Sequence, residues 1–336
     1  MSDAPEPDPR LAAFLERAAV VEPGETMKWT PLTGGVSSDI WRVDLRGRSI
    51  CVKCALPQLK VATTWQAPIE RNTYEWAWIN FAARHCPDNV PSPLACDAAQ
   101  GIFAMSYLDP SRYPNWKQLL LDGTIDSTVA GRVGAIVGRL HAASAGDASV
   151  AAAFRSDAIF HAIRLEPYLL ATAAAHPDIA QMLRGLSART ASTRIALVHG
   201  DVSPKNILVG PRGPVLLDAE CAWYGDPAFD AAFCLNHFLL KGVARRARAD
   251  EYLACYGAFA GAYIDSVTWE PREAIEARIA TLLPALTLAR IDGKSPVEYL
   301  TEDTRRQVRL AARALIVEAS ATLAVIATQW GRTFAN

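Results

Sequence analysis

Hydrophobic and polar positions alternate along residues 27–55, which is the pattern of half-buried β-strands. The apolar positions form three short segments, and Gly34-Gly35 and Arg46-Gly47 separate them at points where the chain must turn. The pattern predicts a small antiparallel meander, and residues 101–108 predict one further strand. The three segments of the meander are 27–32, 40–45 and 49–55.

Apolar positions recur at helical spacing in residues 69–84 and through most of the chain after residue 115. The exception in the second part is a β-like island over residues 197–218. A β-rich first third followed by helices with one embedded hairpin predicts an α+β fold with two lobes, residues 1–106 and 107–336. The helices predicted beyond residue 115 are 125–145, 157–173, 177–191, 228–240, 247–263, 271–290 and 302–330.

The charge of the chain is nearly balanced, with 34 Lys and Arg against 35 Asp and Glu. A net charge of -1 provides no broad field for nucleic acid or an anionic membrane, so neither is expected as a partner.

The apolar stretch 313–329 contains Glu318 and is too short to span a bilayer, so it predicts a core helix. Residues 1–9 are acidic and Pro-rich, unlike an export signal, and the seven cysteines are an odd number. A reducing cytoplasm is therefore the expected location.

Carboxylate and amide side chains cluster in the β-like island. Asp201 follows one apolar run, Asn206 comes five positions later, and Asp218 ends the next apolar run. Metal-assisted phosphoryl transfer requires such groups, one at the nucleophile and two that hold magnesium. The island therefore predicts a kinase of small molecules.

These residues resemble the aminoglycoside phosphotransferase and choline kinase group, relatives of the protein kinases. The resemblance rests on the order and spacing of His199-Gly200-Asp201, Asn206, 217–220 and 225–230, and it extends over approximately residues 32–313. It implies a protein-kinase-like fold with a small antiparallel β lobe that binds ATP and a larger helical lobe. Asp201 would be the catalytic residue, and Asn206 and Asp218 would bind Mg²⁺. His199 is usually structural in this group.

The Gly-Asp-Pro sequence that starts at Gly225 predicts a helix start. Asp226 is expected as a helix cap and Asp230 as a buried brace for the catalytic loop. The role of Lys205, next to Asn206, stays open between a contact with the transferred phosphate and a solvated loop lysine.

The nucleotide site is expected on the first lobe. Lys53 lies inside an apolar strand, where the related kinases place a lysine for the α- and β-phosphates, and a lysine there needs a partner. Glu75 on the following helix is the expected partner, with Glu70 as the alternative. Met105 and Tyr107 would border the adenine, or the segment is a simple edge strand. The turn expected to approach the phosphates contains Gly34, Gly35, Ser37 and Ser38.

The acceptor is a small molecule with a hydroxyl group, sugar-like or an amino alcohol. The segment 52–61, with Trp65 and Arg71 after it, is similar to methylthioribose kinases, whereas Asn206 and its neighbours depart from them. The alternatives are an aminoglycoside antibiotic phosphotransferase, a catalytically silent nucleotide-binding protein and a metal-dependent hydrolase. The oligomeric state stays open between a monomer and a homodimer. The candidate acceptor-binding residues are Glu220, Arg290, Asp292 and Lys294, and a solvated helix end is the competing interpretation for the last three.

Overall fold

The computed structural model of the chain describes residues 6–32, 38–56, 70–320 and 322–334. The chain forms two compact units, Met1–Arg112 and Tyr113–Asn336, whereas the sequence pattern placed the division after residue 106. The first unit is built around a sheet and the second is mainly helical, so the predicted α+β class is confirmed.

The N-terminal unit contains a five-stranded antiparallel sheet with the strand order β1-β2-β3-β5-β4. The predicted meander is its first three strands, and Lys53 of β3 lies opposite Ile40 on one side and Phe103 on the other. The strands are β1 (Lys28–Leu32), β2 (Ser38–Leu45), β3 (Arg48–Ala55), β4 (Pro93–Asp97) and β5 (Ile102–Ser106).

The sequence pattern does not predict strand β4, because Pro91 and Pro93 disfavour a continuous strand there. Pro93 begins the strand at the edge of the sheet, where the missing N–H removes no essential ladder bond. Because β4 covers one side of β5, the interpretation of β5 as a simple edge strand is wrong.

Two helices belong to this unit, α1 (Pro9–Arg17) and α2 (Arg71–His85). Helix α1, which the sequence analysis did not predict, packs Leu11, Phe14 and Leu15 onto the sheet beside Trp41 and Val52. Asp8 caps its first turn by accepting from the backbone N–H of Arg10.

The C-terminal unit is mainly helical, and each helix predicted beyond residue 115 is present except the single helix over 302–330. Its first eight elements are α3 (Trp116–Asp122), α4 (Ser127–Ser144), α5 (Ala148–Ala153), α6 (Asp157–Phe160), a π-helix (His161–Leu170), α7 (Ala171–Ala175), α8 (Ala180–Ser192) and β6 (Ala196–Val198). The remainder are β7 (Ile207–Gly210), β8 (Gly213–Leu216), β9 (Trp223–Gly225), α9 (Ala228–Ala244), α10 (Ala249–Asp265), α11 (Arg272–Asp292), α12 (Glu302–Glu318) and α13 (Leu323–Phe334).

The prediction of one helix over 302–330 is wrong. The helix ends at Glu318 because Ala319 adopts a left-handed conformation with φ 51°, and its N–H bonds to the Leu315 carbonyl. A second helix begins at Leu323. Along the described segments of the chain, no helix is long and apolar enough to cross a membrane.

The predicted β island is two small antiparallel pairs. Strand β6 pairs with β9, and β7 pairs with β8 in a hairpin that places Ile207 opposite Leu216. A short 3₁₀ turn, Pro204–Asn206, leads into the hairpin. The loop from His199 to Ser203 thus has both of its ends fixed by strands or a turn.

Candidate functional site

The loop that contains Asp201 starts with a tight turn at Gly200. Gly200 has a φ of 79°, and a Cβ atom there would lie 2.7 Å from both Cβ and the carbonyl oxygen of Cys221. Glycine is therefore required by backbone conformation and by close packing together.

Asp230 of α9 holds the start of this loop. Its Oδ2 accepts from the backbone N–H of His199 at 2.7 Å, and its Oδ1 accepts from that of Gly200 at 2.8 Å. His141 of α4 lies 3.2 Å from the same carboxylate through Nε2. These bonds confirm the predicted brace. Asp226 accepts from the N–H of Ala228 at 3.0 Å, as expected of a helix cap.

His199 links the loop to the strand that precedes Asp218. Its Nδ1 accepts from the N–H of Asp201 at 3.2 Å, so Nε2 carries the proton that is donated to the carbonyl of Leu217, 3.1 Å away. Burial lowers the pKa of His199, and the nearby Asp230 only partly offsets this effect. A neutral ring with both nitrogens engaged fits the expected structural role.

Asp201 lies between two cations and is 4% exposed. Its Oδ2 is 2.8 Å from a guanidinium nitrogen of Arg164 and 3.1 Å from Nζ of Lys205. Burial alone would raise its pKa, but Lys205 and Arg164 lower the pKa of this carboxyl well below its usual range. Arg164 belongs to the π-helix and also donates to the carbonyl of Gly200. Asp201 is thus ionised at neutral pH and fixed in position.

The hairpin brings Asn206 and Asp218 next to each other in register. The N–H of Leu217 donates to the carbonyl of Asn206 at 2.9 Å, so Asp218 follows directly after the residue paired with Asn206. Asn206 Nδ2 donates to the Asp201 carbonyl at 3.2 Å, and this bond fixes the orientation of the amide. Asp218 has a positive φ of 66°, which a short polar side chain tolerates better than most and which marks a strained position.

This donor set fits Mg²⁺ because a carboxylate and an amide oxygen are hard ligands. No cluster of three or more His, Cys, Asp or Glu suited to a metal occurs among the residues that the structure describes. Two protein ligands suffice for Mg²⁺ at a nucleotide site, since phosphate oxygens and water supply the remainder.

In the N-terminal unit the predicted pair of Lys53 and Glu75 is present. Lys53 Nζ donates to Glu75 Oε2 at 2.6 Å, and the two side chains are 3% and 1% exposed. The pair joins β3 to α2 in the interior of the unit.

The other residues predicted to bind nucleotide include Ser38 on β2, Met105 on β5 and Tyr107 after β5. Ser38 is buried at the start of β2, with its hydroxyl 3.5 Å from Asn72 Oδ1. Met105 lies on β5, and the ring of Tyr107 is 4.7 Å from the Arg42 guanidinium. Gly34, Gly35 and Ser37 lie outside the described residues.

The candidate acceptor residues do not form one group. Asp292 accepts from Arg309 at 2.6 and 2.7 Å and contacts His176 at 2.9 Å, which joins α11 to α12. Lys294 pairs with Glu166 at 2.7 Å with its side chain 55% exposed. Glu220 lies half-buried between β8 and β9.

Arg290 differs from these residues because it points toward the aromatic rings near Asp201. Its guanidinium is 5.9 Å from the centre of the Tyr168 ring, and Arg164, which holds Asp201, is 6.0 Å from the same ring. Sequence reasoning missed Arg164, His237 and Lys241 in this region. A lysine inside the apolar run Phe238-Leu239-Leu240-Lys241-Gly242-Val243 was the signal that could have identified Lys241.

The chain is similar to several known proteins. Methylthioribose kinase 1 of Oryza sativa subsp. japonica is 24% identical over 231 residues, which cover 60% of this chain. The match spans 54% of that protein, about half its length.

Two solved structures share the fold at 15% identity. Amicoumacin kinase hAmiN in complex with AMP-PNP, Ca²⁺ and Ami has a TM-score of 0.57, with 94% of this chain and 96% of that chain covered. Choline kinase LicA from Streptococcus pneumoniae has a TM-score of 0.50, with 91% and 98% covered.

The sequence model that describes the phosphotransferase enzyme family matches residues 28–274. This range includes β1–β9, the loop of Asp201 and both predicted Mg²⁺ ligands. The match covers well over half of the chain, and the chain belongs to the phosphotransferase enzyme family.

Proposed function

We propose that the protein transfers the γ-phosphate of ATP to a hydroxyl group of a small sugar-like or amino-alcohol metabolite. The observation that supports this function best is the ionised Asp201, held by Arg164 and Lys205, on the loop that leads to Asn206, whose backbone pairs with Leu217 directly before Asp218. This set combines a group for the nucleophile with ligands for a hard cation.

Asp201 accepts a hydrogen bond from the acceptor hydroxyl and orients its oxygen toward the γ-phosphorus. The oxygen forms a bond to phosphorus while the bond between phosphorus and the β–γ bridging oxygen breaks, and ADP leaves with that electron pair. The hydroxyl proton passes to Asp201 as the new bond forms. Because Arg164 and Lys205 hold its pKa low, Asp201 is a weak base that contributes mainly by orientation, and it returns the proton to solvent.

Asn206 and Asp218 would hold Mg²⁺, which neutralises phosphate charge when it is bound. Lys53 would bind the α- and β-phosphates, and Glu75 keeps its ammonium in place. Ser38 would lie at the phosphates, and Met105 and Tyr107 would border the adenine.

The test compares Asp201→Asn with the unmodified protein. The variant should bind Mg·ATP with unchanged affinity and lose about 10²–10⁴-fold in turnover, because it keeps a hydrogen-bond acceptor but loses the charge that receives the proton. Calorimetry measures nucleotide binding, and an ADP-coupled assay measures turnover across sugars and amino alcohols.

Asp303→Asn is the matched control, since Asp303 lies on α12 with its side chain 85% exposed and pairs with Arg306 across one turn. Unchanged turnover in Asp201→Asn, or loss of ATP binding in that variant, would show that the assigned role is wrong.

A further inference from the structure

Lys241 is a buried lysine in α9 that has no carboxylate partner among the described residues. The residue is 1% exposed, and in the described chain its Nζ forms neither a hydrogen bond nor an ion pair. Its contact is with the ring of Tyr299, 5.0 Å from Nζ. A buried ammonium without an anion costs several kcal/mol, so its presence needs a reason.

Two more polar side chains near Lys241 have unused bonding capacity. Arg290 donates to the backbone and hydroxyl of Ser295, and it forms no pair with a carboxylate in the ranges that the structure covers. Its buried Nε and both ring nitrogens of His237 have no hydrogen-bond partner among the described residues. Neutral oxygens therefore surround the Arg290 guanidinium, and its charge is not compensated.

The ring of Phe233 connects His237 to Arg164, which holds the catalytic loop. Phe233 is 5.7 Å from the Arg164 guanidinium and 5.8 Å from the His237 ring. Phe233, His237 and Lys241 are spaced four residues apart on α9, so each step moves the side chain about 6 Å along one face of the helix. One face of α9 thus leads from Phe233, beside Arg164, to Lys241.

The charges in this region are predominantly positive. Burial lowers the pKa of His237 well below its ordinary value, and Lys241 and Arg290 lower it further. Burial also lowers the pKa of Lys241 to about 7, with Lys117 and Arg290 acting in the same direction. Glu298 opposes this effect, but its carboxylate already pairs with Lys117. Both shifts follow first from burial and then from the neighbouring positive charges.

We propose that the acceptor substrate bears an anionic group, a carboxylate or a phosphate, that binds between Lys241 and Arg290 while its hydroxyl lies at Asp201. The inference rests on the proposed kinase function and narrows its substrate class. An anion supplies the missing counter-charge, whereas the ammonium groups of amino alcohols and aminoglycosides would be repelled. The distance along α9 places the anionic group at the end of the acceptor opposite the reacting hydroxyl.

The binding test uses four six-carbon probes that differ in charge: gluconate, glucose 6-phosphate, glucose and glucosamine. Melting temperatures are measured at constant ionic strength for the unmodified protein and for Lys241→Met, which keeps most of the stem volume. At least one of the two anionic probes should stabilise the unmodified protein more than glucose does. Stabilisation by gluconate would indicate a carboxylate on the acceptor, and stabilisation by glucose 6-phosphate would indicate a phosphate. Lys241→Met should weaken this apparent affinity by about 10–100-fold, the usual effect of losing one charge-assisted hydrogen bond.

Arg306→Met is the control, because it removes one cation from the surface of α12, where the Arg306 side chain is 65% exposed. Arg290→Gln is the second variant and should weaken anion binding in the same way if Lys241→Met does not fold. The inference is overturned if neither anion stabilises the protein more than glucose, or if the folded variants bind the anion as tightly as the control.

A titration with Mg·ATP separates this inference from the proposed function. If the protein binds nucleotide but the anions have no effect, the proposed kinase function stands and the anionic acceptor is excluded. If the anions stabilise the protein through Lys241 but the protein does not bind nucleotide, the anion site stands and the proposed kinase function is excluded.

Discussion

Lys53 shows how one side chain can have a structural and a functional role. A lysine in an apolar strand requires a carboxylate nearby, and Glu75 on α2 supplies it at 2.6 Å. The ion pair by itself does not require a nucleotide, since it satisfies both buried charges. The two roles therefore have to be separated by experiment.

Lys53→Met should raise the Michaelis constant for ATP by about 10-fold or more, because the α- and β-phosphates lose a charged donor. It should also lower the melting temperature, since Glu75 would be left as a buried carboxylate without its lysine. The double variant Lys53→Met/Glu75→Gln removes both charges and should recover stability without recovering ATP affinity. Steady-state kinetics and thermal melts measure the two effects.

Lys28→Met is the matched control for this substitution, because Lys28 is exposed on β1. A double variant in which ATP affinity recovers together with stability would make Lys53 an ordinary structural residue.

The candidate site residues of the Asp201 loop could be predicted because phosphoryl transfer requires such residue types at such spacing. Asp201, Asn206 and Asp218 are separated by a few residues and one hairpin, so local sequence already determines their proximity. Arg164 could not be predicted in this way. It lies 37 positions before Asp201 on a different helix, and only the three-dimensional fold brings the two together.

At the scale of elements, periodicity predicted the strands of the meander and most helices. It failed where the backbone conformation of particular residues determines the end or the type of a helix. Ala319 ends α12 with a positive φ, although alanine ordinarily continues a helix. The ten-residue π-helix from His161 to Leu170 fell inside a predicted helix, and its widened turns were not visible in the pattern. This segment orients Arg164, and π-helical turns often occur at functional sites.

The tight turn before Asp201 gives a test of an element. Gly200→Ala should destabilise the protein by about 2–4 kcal/mol, because alanine disfavours a φ of 79° and its Cβ would collide with Cys221. Urea unfolding measures the free energy, and turnover should fall further than stability alone explains.

Gly185→Ala in α8 is the control, since a Cβ there meets nothing within 4 Å and the helix favours alanine. That change should stabilise the protein by about 0.5–1 kcal/mol. Equal effects of the two substitutions would mean that the turn has no special requirement for glycine.

At the scale of the molecule, the described part of each unit contains buried charged residues to which the proposed kinase reaction assigns a role. The N-terminal unit holds Lys53 with Glu75, and the C-terminal unit holds Asp201 with the pair of Asn206 and Asp218. The order of predicted strands and helices indicated two lobes, and a chain of 336 residues is long enough for one large core or two smaller ones. It could not predict the cation cluster around Lys241, which depends on the packing of α9 and α11.

The stability of the whole protein should depend on metal and nucleotide together. A ligand that binds only the folded state stabilises it by about 2.7 kcal/mol at a concentration of 100 times its dissociation constant. ATP should therefore raise the melting temperature strongly with Mg²⁺ and only weakly when a chelator removes the metal. Asp218→Asn should abolish most of the Mg²⁺-dependent rise in melting temperature, because an amide replaces the charged ligand. The positive φ at this position is also tolerated by asparagine.

Asp303→Asn, on the exposed surface of α12, is the control and should behave as the unmodified protein does. An equal rise with and without Mg²⁺ in the unmodified protein would contradict the assignment of Asn206 and Asp218 as metal ligands.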